Sequence, residues 1–112
     1  MELPLEIDPT EVFQLLEPPS KRIARLIDCR EQDEWQICHL QGALLVPMSR
    51  IAELAPQCFT DPQEHLIVYC HHGMRSLRVT QWLRQQGFVN TQSMHGGIDA
   101  WAQHVEPEMA RY

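Results

Sequence analysis

One short segment of the chain combines a nucleophile with a glycine and a cation: it reads CHHGMRS and covers residues 70–76. The apolar run at residues 66–70 predicts a buried strand before it, and residues 76–86 predict a helix after it. Ligands of open parallel sheets bind outside the carboxyl ends of the strands, which is where this segment would lie. Its position and composition therefore favour nucleophilic chemistry by a cysteine thiolate.

Each part of this segment favours an ionised sulfur. Cys70 would face unpaired backbone N–H groups and the positive end of a helix dipole. Gly73 permits backbone dihedrals that turn successive N–H groups inward. Arg75 adds a permanent cation, and Ser76 is expected to be the helix N-cap, with its hydroxyl near the sulfur. We predict that Cys70 is catalytic, although taken alone a cysteine ending a buried strand is an ordinary core residue.

His71, His72 and Met74 complete the predicted active-site loop. The two imidazoles could add positive charge at low pH. We expect the backbone amides of both histidines to matter more than their rings. Met74 is expected to form a flexible wall of the substrate pocket. Arg75 would attract an anionic substrate.

The rest of the chain alternates short apolar runs with helical runs. Such alternation is typical of an α/β fold with a mostly parallel sheet. A first helix is expected to begin at Asp8 and Pro9, which suit the N-cap and first helical positions, and to end at Pro18-Pro19. Further strands are predicted at residues 24–28, 43–46 and 89–94, and further helices at residues 31–36, 48–54 and 98–103.

The strand at residues 24–28 would bring three more residues of interest to the same sheet edge. Asp28 and Arg30 could brace the active-site loop as supporting residues, or form a structural ion pair beside it, which is the interpretation we favour. Cys29 could act as a resolving thiol, but its simpler interpretation is a small buried residue. Cys38 and Cys58 have no catalytic context, and no metal-binding spacing is present, so no metal site is expected.

Composition and charge exclude several classes of function. The chain has 112 residues, enough for one domain, and a net charge of −6 without a basic block. An acidic chain of this kind is a poor partner for nucleic acid or anionic membranes. Its N-terminus lacks the pattern of a secretion signal, so we expect a cytoplasmic protein with reduced cysteines.

Four segments match, in order, the motifs of a known family. They are DCRE with Glu34 (residues 28–34), HLQGA with Pro47 (residues 39–47), the strand and loop at residues 66–76, and GGIDAW (residues 96–101). The chain therefore resembles a single-domain rhodanese, that is, a rhodanese-like sulfurtransferase. It departs from the family pattern at Cys38, which stands where glycine is usual.

The resemblance implies both a fold and a reaction. The fold would be a three-layer α/β/α domain over residues 1–112, with a five-stranded parallel sheet in the order 3-2-4-5-1. Separately from the resemblance, the tail at residues 105–112, which contains Pro107, is expected to be extended or loose. The reaction would be that of a thiosulfate sulfurtransferase without a cofactor, passing sulfane sulfur through a persulfide on Cys70. The acceptor would be cyanide or a thiol, the latter including thioredoxin-like or other sulfur-relay proteins.

Three alternatives remain at this stage. A persulfide carrier acting on protein partners would use the same cysteine. A phosphatase or arsenate reductase is disfavoured, because such enzymes place five residues between cysteine and arginine, whereas four separate Cys70 from Arg75. A non-catalytic regulatory domain is disfavoured because inactive relatives commonly lose the cysteine that is present here.

Overall fold

A computed structural model describes residues 2–112 and shows one parallel sheet with helices on both faces. The strands are β1 (Glu6–Ile7), β2 (Arg25–Asp28), β3 (Leu44–Leu45), β4 (Leu66–Tyr69) and β5 (Thr91–Met94). The helices are α1 (Pro9–Leu16), α2 (Gln32–Ile37), α3 (Ile51–Cys58), α4 (Met74–Gln85) and α5 (Gly97–His104). Short 3₁₀ turns lie at Pro19–Lys21 and Met48–Arg50.

The five strands lie in the order β1-β5-β4-β2-β3, and every neighbouring pair is parallel. Read from the other edge this is 3-2-4-5-1, so the expected sheet order is confirmed. Strand β4 lies at the centre and is fully buried, as its uninterrupted apolar run predicts. The loop that follows β4 therefore emerges from the middle of the sheet.

Alternation along the central strands separates two apolar cores. Ile67 and Tyr69 point to the face covered by α1 and α5, where Val12 and Trp101 are buried. Leu66 and Val68 point to the opposite face, which is covered by α3 and α4. The three-layer architecture therefore follows from the period-2 pattern of strands whose two faces are both apolar.

Several element boundaries differ from the sequence prediction. Helix α4 begins at Met74 rather than at Ser76, and its N-cap is Gly73, so Ser76 lies within the first turn. Helix α3 continues through Pro56 to Cys58 instead of ending near Pro56. A proline supplies a helical φ and removes a single hydrogen bond, a loss that an exposed helix can tolerate near its end. The pattern of residues did not locate β1, which has only two residues and was expected only from the family resemblance.

The start of α1 and the end of α4 have residues typical of helix boundaries. Helix α1 begins at Pro9 after Asp8, although the Asp8 side chain makes no capping hydrogen bond. Gly87 follows the end of α4 with a φ of 104°, the left-handed conformation expected of a helix-terminating glycine. Within residues 2–112, none of the helices combines the length and apolar character that a bilayer crossing demands.

Candidate active site

The sulfur of Cys70 lies where β4 ends, below the first turn of α4. The residue is buried, with 1% of its surface exposed. The backbone N–H groups of Gly73 and Ser76 donate to the sulfur over 3.1 and 3.4 Å. The Ser76 hydroxyl oxygen lies 3.5 Å from it. The predicted cradle of donors around Cys70 is therefore present, and two backbone amides supply its centre.

Gly73 enables this arrangement through its backbone conformation. Its φ is +106°, a region that residues with a Cβ rarely adopt, and it caps α4. The turn at Gly73 directs its own N–H group back towards Cys70 and starts the helix at the next residue. Ser76 is held in place because its hydroxyl lies 3.2 Å from the Gly73 carbonyl and 2.7 Å from the Ser93 hydroxyl. The single Ser76 proton is shared between the Gly73 carbonyl and the Cys70 sulfur, and Ser93 can donate its own proton to the Ser76 oxygen.

The start of α5 holds the outer side of the loop. The N–H groups of Ile98 and Asp99 donate to the carbonyls of Cys70 and His71 over 2.8 and 3.1 Å. Gly97 lies against these same carbonyls, and a Cβ on it would overlap both of them. The glycine pair of the GGIDAW segment therefore lets helix α5 approach the loop and turn its carbonyls away from the sulfur.

These contacts lower the pKa of Cys70 to about 4. The largest cause is a hydrogen bond from the Cys29 thiol, and the donors at Ser76 and Gly73 add to it against the opposing effect of burial. The thiolate in turn raises the pKa of Cys29, which therefore keeps its proton. At neutral pH the site thus holds one thiolate and one thiol within the same buried cluster.

Acid titration provides the first test of this geometry. Because protonation of Cys70 is expected near pH 4, the ultraviolet absorbance of one thiolate should persist at neutral pH and disappear as the pH falls through about 4. The same signal should be absent from Cys70→Ser and retained in Cys58→Ser. A midpoint near 8 or above, close to that of an ordinary thiol, would contradict the described hydrogen bonds.

Arg75 is engaged by a carboxylate. Its guanidinium donates to both oxygens of Glu34 over 2.6 and 2.8 Å. This contact is the main reason that the pKa of Glu34 falls to about 2. Glu34 also accepts the N–H of Glu31 in a capping box that begins α2. The pair therefore links the active-site loop to α2. It also neutralises much of the positive charge of Arg75, which the sequence predicts to attract an anionic substrate.

Asp28 and Arg30 form a fully buried ion pair beside the loop, with neither side chain exposed. The Nε and Nη2 atoms of Arg30 donate to the carboxylate, the shorter bond being 2.7 Å. Nη1 of Arg30 donates to the Tyr112 hydroxyl over 2.7 Å, and that hydroxyl donates to Glu34 over 2.9 Å. The buried pair thus reaches Arg75 through two intermediates, so its contact with the active-site loop is indirect.

The tail and the two histidines form an aromatic stack on the outside of the loop. The His71 ring lies between Tyr112 and His72, with centroid distances of 3.8 and 3.9 Å. Residues 105–112 contain no helix or strand, yet Tyr112 makes this stack. Met74 is 68% exposed at the outer side of the loop. Neither imidazole is among the main causes of the lowered pKa of Cys70.

His71, His72 and Asp99 are the described residues whose side chains are best placed for a metal. Their potential ligand atoms lie within 4.8 Å of one another. Asp99 is already paired with Arg111 over 2.9 Å, and His72 is largely exposed. The cluster is therefore a set of surface groups beside the loop rather than part of the cradle around the sulfur.

Three contributors to the site were not predicted from the sequence. Glu34 was noted only as part of a motif, and its pairing with Arg75 spans 41 positions. Ser93 orients Ser76 from the neighbouring strand β5, and a serine in a buried strand was the available signal. Tyr112 lies in a segment that was expected to be loose, and no pattern in the sequence pointed to it.

Comparison with known proteins gives relatives over most of the chain. The thiosulfate sulfurtransferase GlpE of Coxiella burnetii is 32% identical over 99 residues, which cover 88% of both chains. The probable adenylyltransferase/sulfurtransferase MoeZ of Mycobacterium tuberculosis is 34% identical over 106 residues. That match covers 95% of this chain but 26% of MoeZ, so the chain spans about a quarter of that relative.

Solved structures show the same fold. The human single-domain sulfurtransferase TSTD1 superposes with a TM-score of 0.78 at 24% identity, covering 91% of this chain and 98% of that one. A rhodanese-related protein from Thermoplasma volcanium gives a TM-score of 0.78 at 22% identity, covering 91% and 94% of the two chains. The family described as the rhodanese-like domain matches residues 8–104. The chain belongs to the rhodanese-like domain family.

Proposed function

We propose that this protein is a sulfurtransferase that moves a sulfane sulfur from a thiosulfate-type donor to a thiophilic acceptor through a persulfide on Cys70. The observation that carries the proposal is the Cys70 sulfur itself, which accepts hydrogen bonds from Gly73 and Ser76 and has a pKa of about 4. Support also comes from the similarity to GlpE, a thiosulfate sulfurtransferase by name, over 88% of both chains.

In the first step the thiolate attacks the outer sulfur of thiosulfate. A bond forms between the Cys70 sulfur and that sulfur, while the S–S bond of the donor breaks and sulfite leaves with its electron pair. Because Cys70 is ionised at neutral pH, no separate base has to remove a proton. The N–H groups of Gly73 and Ser76, which now face the sulfur, would then stabilise the negative charge of the persulfide.

In the second step cyanide or a thiolate attacks the outer sulfur of the persulfide, and the Cys70 thiolate departs. A leaving thiol departs faster the lower its pKa. The hydrogen bonds that lower the pKa of Cys70 therefore accelerate this step. They reduce the intrinsic nucleophilicity of the sulfur in the first step, but every molecule is in the reactive ionised form at neutral pH.

The burial of Cys70 restricts the donor. With 1% of the residue exposed, a donor has to present a slim, terminal sulfur atom to reach it. Thiosulfate does so, and its charge would be drawn to the N-terminus of α4. Both terminal nitrogens of the Arg75 guanidinium already donate to Glu34. Arg75 would therefore help to bind an anionic donor only where the donor displaces the Glu34 carboxylate.

A second candidate is a sulfur-relay role, in which a partner enzyme supplies the persulfide and a protein thiol takes it. The observation that favours it is the match to about a quarter of MoeZ, whose name pairs an adenylyltransferase with a sulfurtransferase. A phosphatase or arsenate reductase is not supported, because the loop holds four residues between Cys70 and Arg75 and its amides converge on one sulfur atom.

Intact-mass measurement tests the proposal. Incubation of the reduced protein with thiosulfate should add about 32 Da to the chain, at Cys70, and cyanide should remove that mass and release thiocyanate. A stable mass gain at another cysteine, or neither a mass gain nor release of sulfide with any donor, would contradict the proposal. No gain with thiosulfate but a gain with a protein persulfide would favour the relay role.

A further inference from the structure

Two cysteines of the chain occupy directly opposed positions on neighbouring strands. The parallel pairing of β2 with β4 ends at Asp28 opposite Tyr69, and the next residues along the strands are Cys29 and Cys70. The N–H group of Cys29 donates to the Tyr69 carbonyl over 3.0 Å, which closes this last pair and leaves Cys29 and Cys70 facing each other directly after it.

Both cysteine side chains lie on the same face of the sheet. The opposed pair Ile27 and Val68, two positions earlier, belongs to the core under α3 and α4, and Cys29 and Cys70 belong to it as well. Neither cysteine has more than 1% of its surface exposed. Each cysteine is also the largest cause of the other's pKa shift, so a second thiol lies beside the nucleophile.

The two-step transfer described above makes no use of a second sulfur. A hydroxyl in place of the Cys29 thiol could also donate to the thiolate. A thiol differs from a hydroxyl in one respect, which is that it can form a disulfide. Directly opposed residues of neighbouring strands lie about 5 Å apart at their Cα atoms, within the range that a disulfide requires.

We propose that Cys29 is a resolving thiol that converts the Cys70 persulfide into a Cys29–Cys70 disulfide and releases the carried sulfur as sulfide. The inference rests on the persulfide proposed above and adds a second outlet for its sulfur. A bond forms between the sulfurs of Cys29 and Cys70, while the bond from Cys70 to the outer sulfur breaks. The outer sulfur leaves with the electron pair and takes the Cys29 proton, as HS⁻.

The electrons balance without an added oxidant. The outer sulfur is reduced to sulfide, and the two cysteines are oxidised to the disulfide. A dithiol reductant then returns the disulfide to two thiols, which closes the cycle. The net reaction is reductive release of sulfide from a sulfane sulfur donor, an activity distinct from transfer to a nucleophile.

The state of Cys70 determines when Cys29 can react. While Cys70 is a thiolate, its hydrogen bond and charge hold the proton on Cys29, so the thiol is inert. Once Cys70 carries a sulfur, its Sγ is bonded on both sides and the negative charge moves to the outer atom. The hydrogen bond and the charge that keep the proton on Cys29 therefore weaken when the persulfide forms. The outer sulfur of the persulfide, which is the leaving group, can then accept that proton.

The test follows the persulfide after loading. Thiosulfate is added to three reduced proteins: wild type, Cys29→Ser and Cys58→Ser. The excess thiosulfate is then removed under anaerobic conditions. The proteins are incubated at neutral pH while a bimane reagent traps any sulfide that is released. Wild type and Cys58→Ser should each release one sulfide per loaded sulfur, with a mass loss of about 34 Da and a disulfide joining residues 29 and 70. Cys29→Ser keeps a hydrogen-bond donor but cannot form a disulfide. Its persulfide should therefore persist at least about tenfold longer and still pass to cyanide.

The outcomes separate the two proposals. If the loading step adds no sulfur to any variant with any donor, the persulfide itself is refuted and the role of Cys29 falls with it. If loading succeeds but wild type and Cys29→Ser lose sulfur equally fast, or the disulfide joins other cysteines, only the role of Cys29 is overturned. Cys29→Ala provides the same comparison should the serine variant not fold, which circular dichroism would report.

Discussion

Replacing Cys70 with serine is expected to abolish sulfur transfer, with a loss of about a thousandfold or more in turnover. The hydroxyl of serine is not ionised at neutral pH and cannot form a persulfide, whereas the thiolate of Cys70 is held by the N–H groups of Gly73 and Ser76. The substitution changes a single buried atom for a smaller one that can still accept those hydrogen bonds. The fold should therefore remain intact.

Thiocyanate formation from thiosulfate and cyanide measures the loss, and intact mass shows whether any sulfur is carried. Cys58→Ser is the matched control, because Cys58 is a free, partly buried cysteine on α3 outside the active-site loop. It should retain full turnover. Turnover in Cys70→Ser comparable to that of wild type would overturn the assignment of the nucleophile.

The place of Cys70, the proposed nucleophile, could be predicted because the elements around it are contiguous in the sequence. Strand β4, the loop and α4 are continuous in sequence, and Gly73 lies close enough along the chain to supply both the turn and an N–H donor. Apolar runs and helical spacing therefore placed Cys70 at the correct sheet edge. The start of α4 was misplaced by two residues because both Gly73 and Ser76 can cap a helix, and local pattern does not decide between them.

The contacts that secure the loop were not predictable in the same way. Glu34 and Tyr112 are separated by 78 positions, and both are brought to the loop by the folded sheet. Arg75 was interpreted as a free cation because a single charged residue carries no sign of its future partner. Strand β1 has two residues, too few for an alternating pattern, so its place at the edge of the sheet came only from the family resemblance.

The position of Cys29 illustrates how register changes an interpretation. In the sequence it is a small residue at the end of a strand, for which burial is the simplest explanation. In the fold it is the residue opposite Cys70 on the adjacent strand. The hydrogen bond from its thiol is then the largest cause of the lowered pKa of Cys70. A pattern along one strand contains no information about its partner, so this contact required the sheet register.

Replacing Asp28 with asparagine is expected to produce the largest loss of stability, about 3 to 5 kcal/mol. Asp28 and Arg30 are both fully buried, and removing the carboxylate charge leaves the guanidinium without its counter-ion. The remaining partners of the Arg30 guanidinium are neutral: the carbonyls of Glu34 and Cys38 and the Tyr112 hydroxyl. Small domains have free energies of unfolding of about 5 to 15 kcal/mol, so this single change removes a large share of the total.

Urea unfolding measures the effect as a lower midpoint with an unchanged slope. The matched control is Glu53→Gln, which breaks the exposed Arg50–Glu53 pair and should leave the midpoint unchanged. A midpoint for Asp28→Asn close to that of wild type would show that the buried pair is dispensable. Because Glu34, and not Asp28, holds Arg75, molecules of Asp28→Asn that remain folded should still load sulfur on Cys70. A parallel loss of loading per folded molecule would instead make the buried pair a positioning element of the active-site loop.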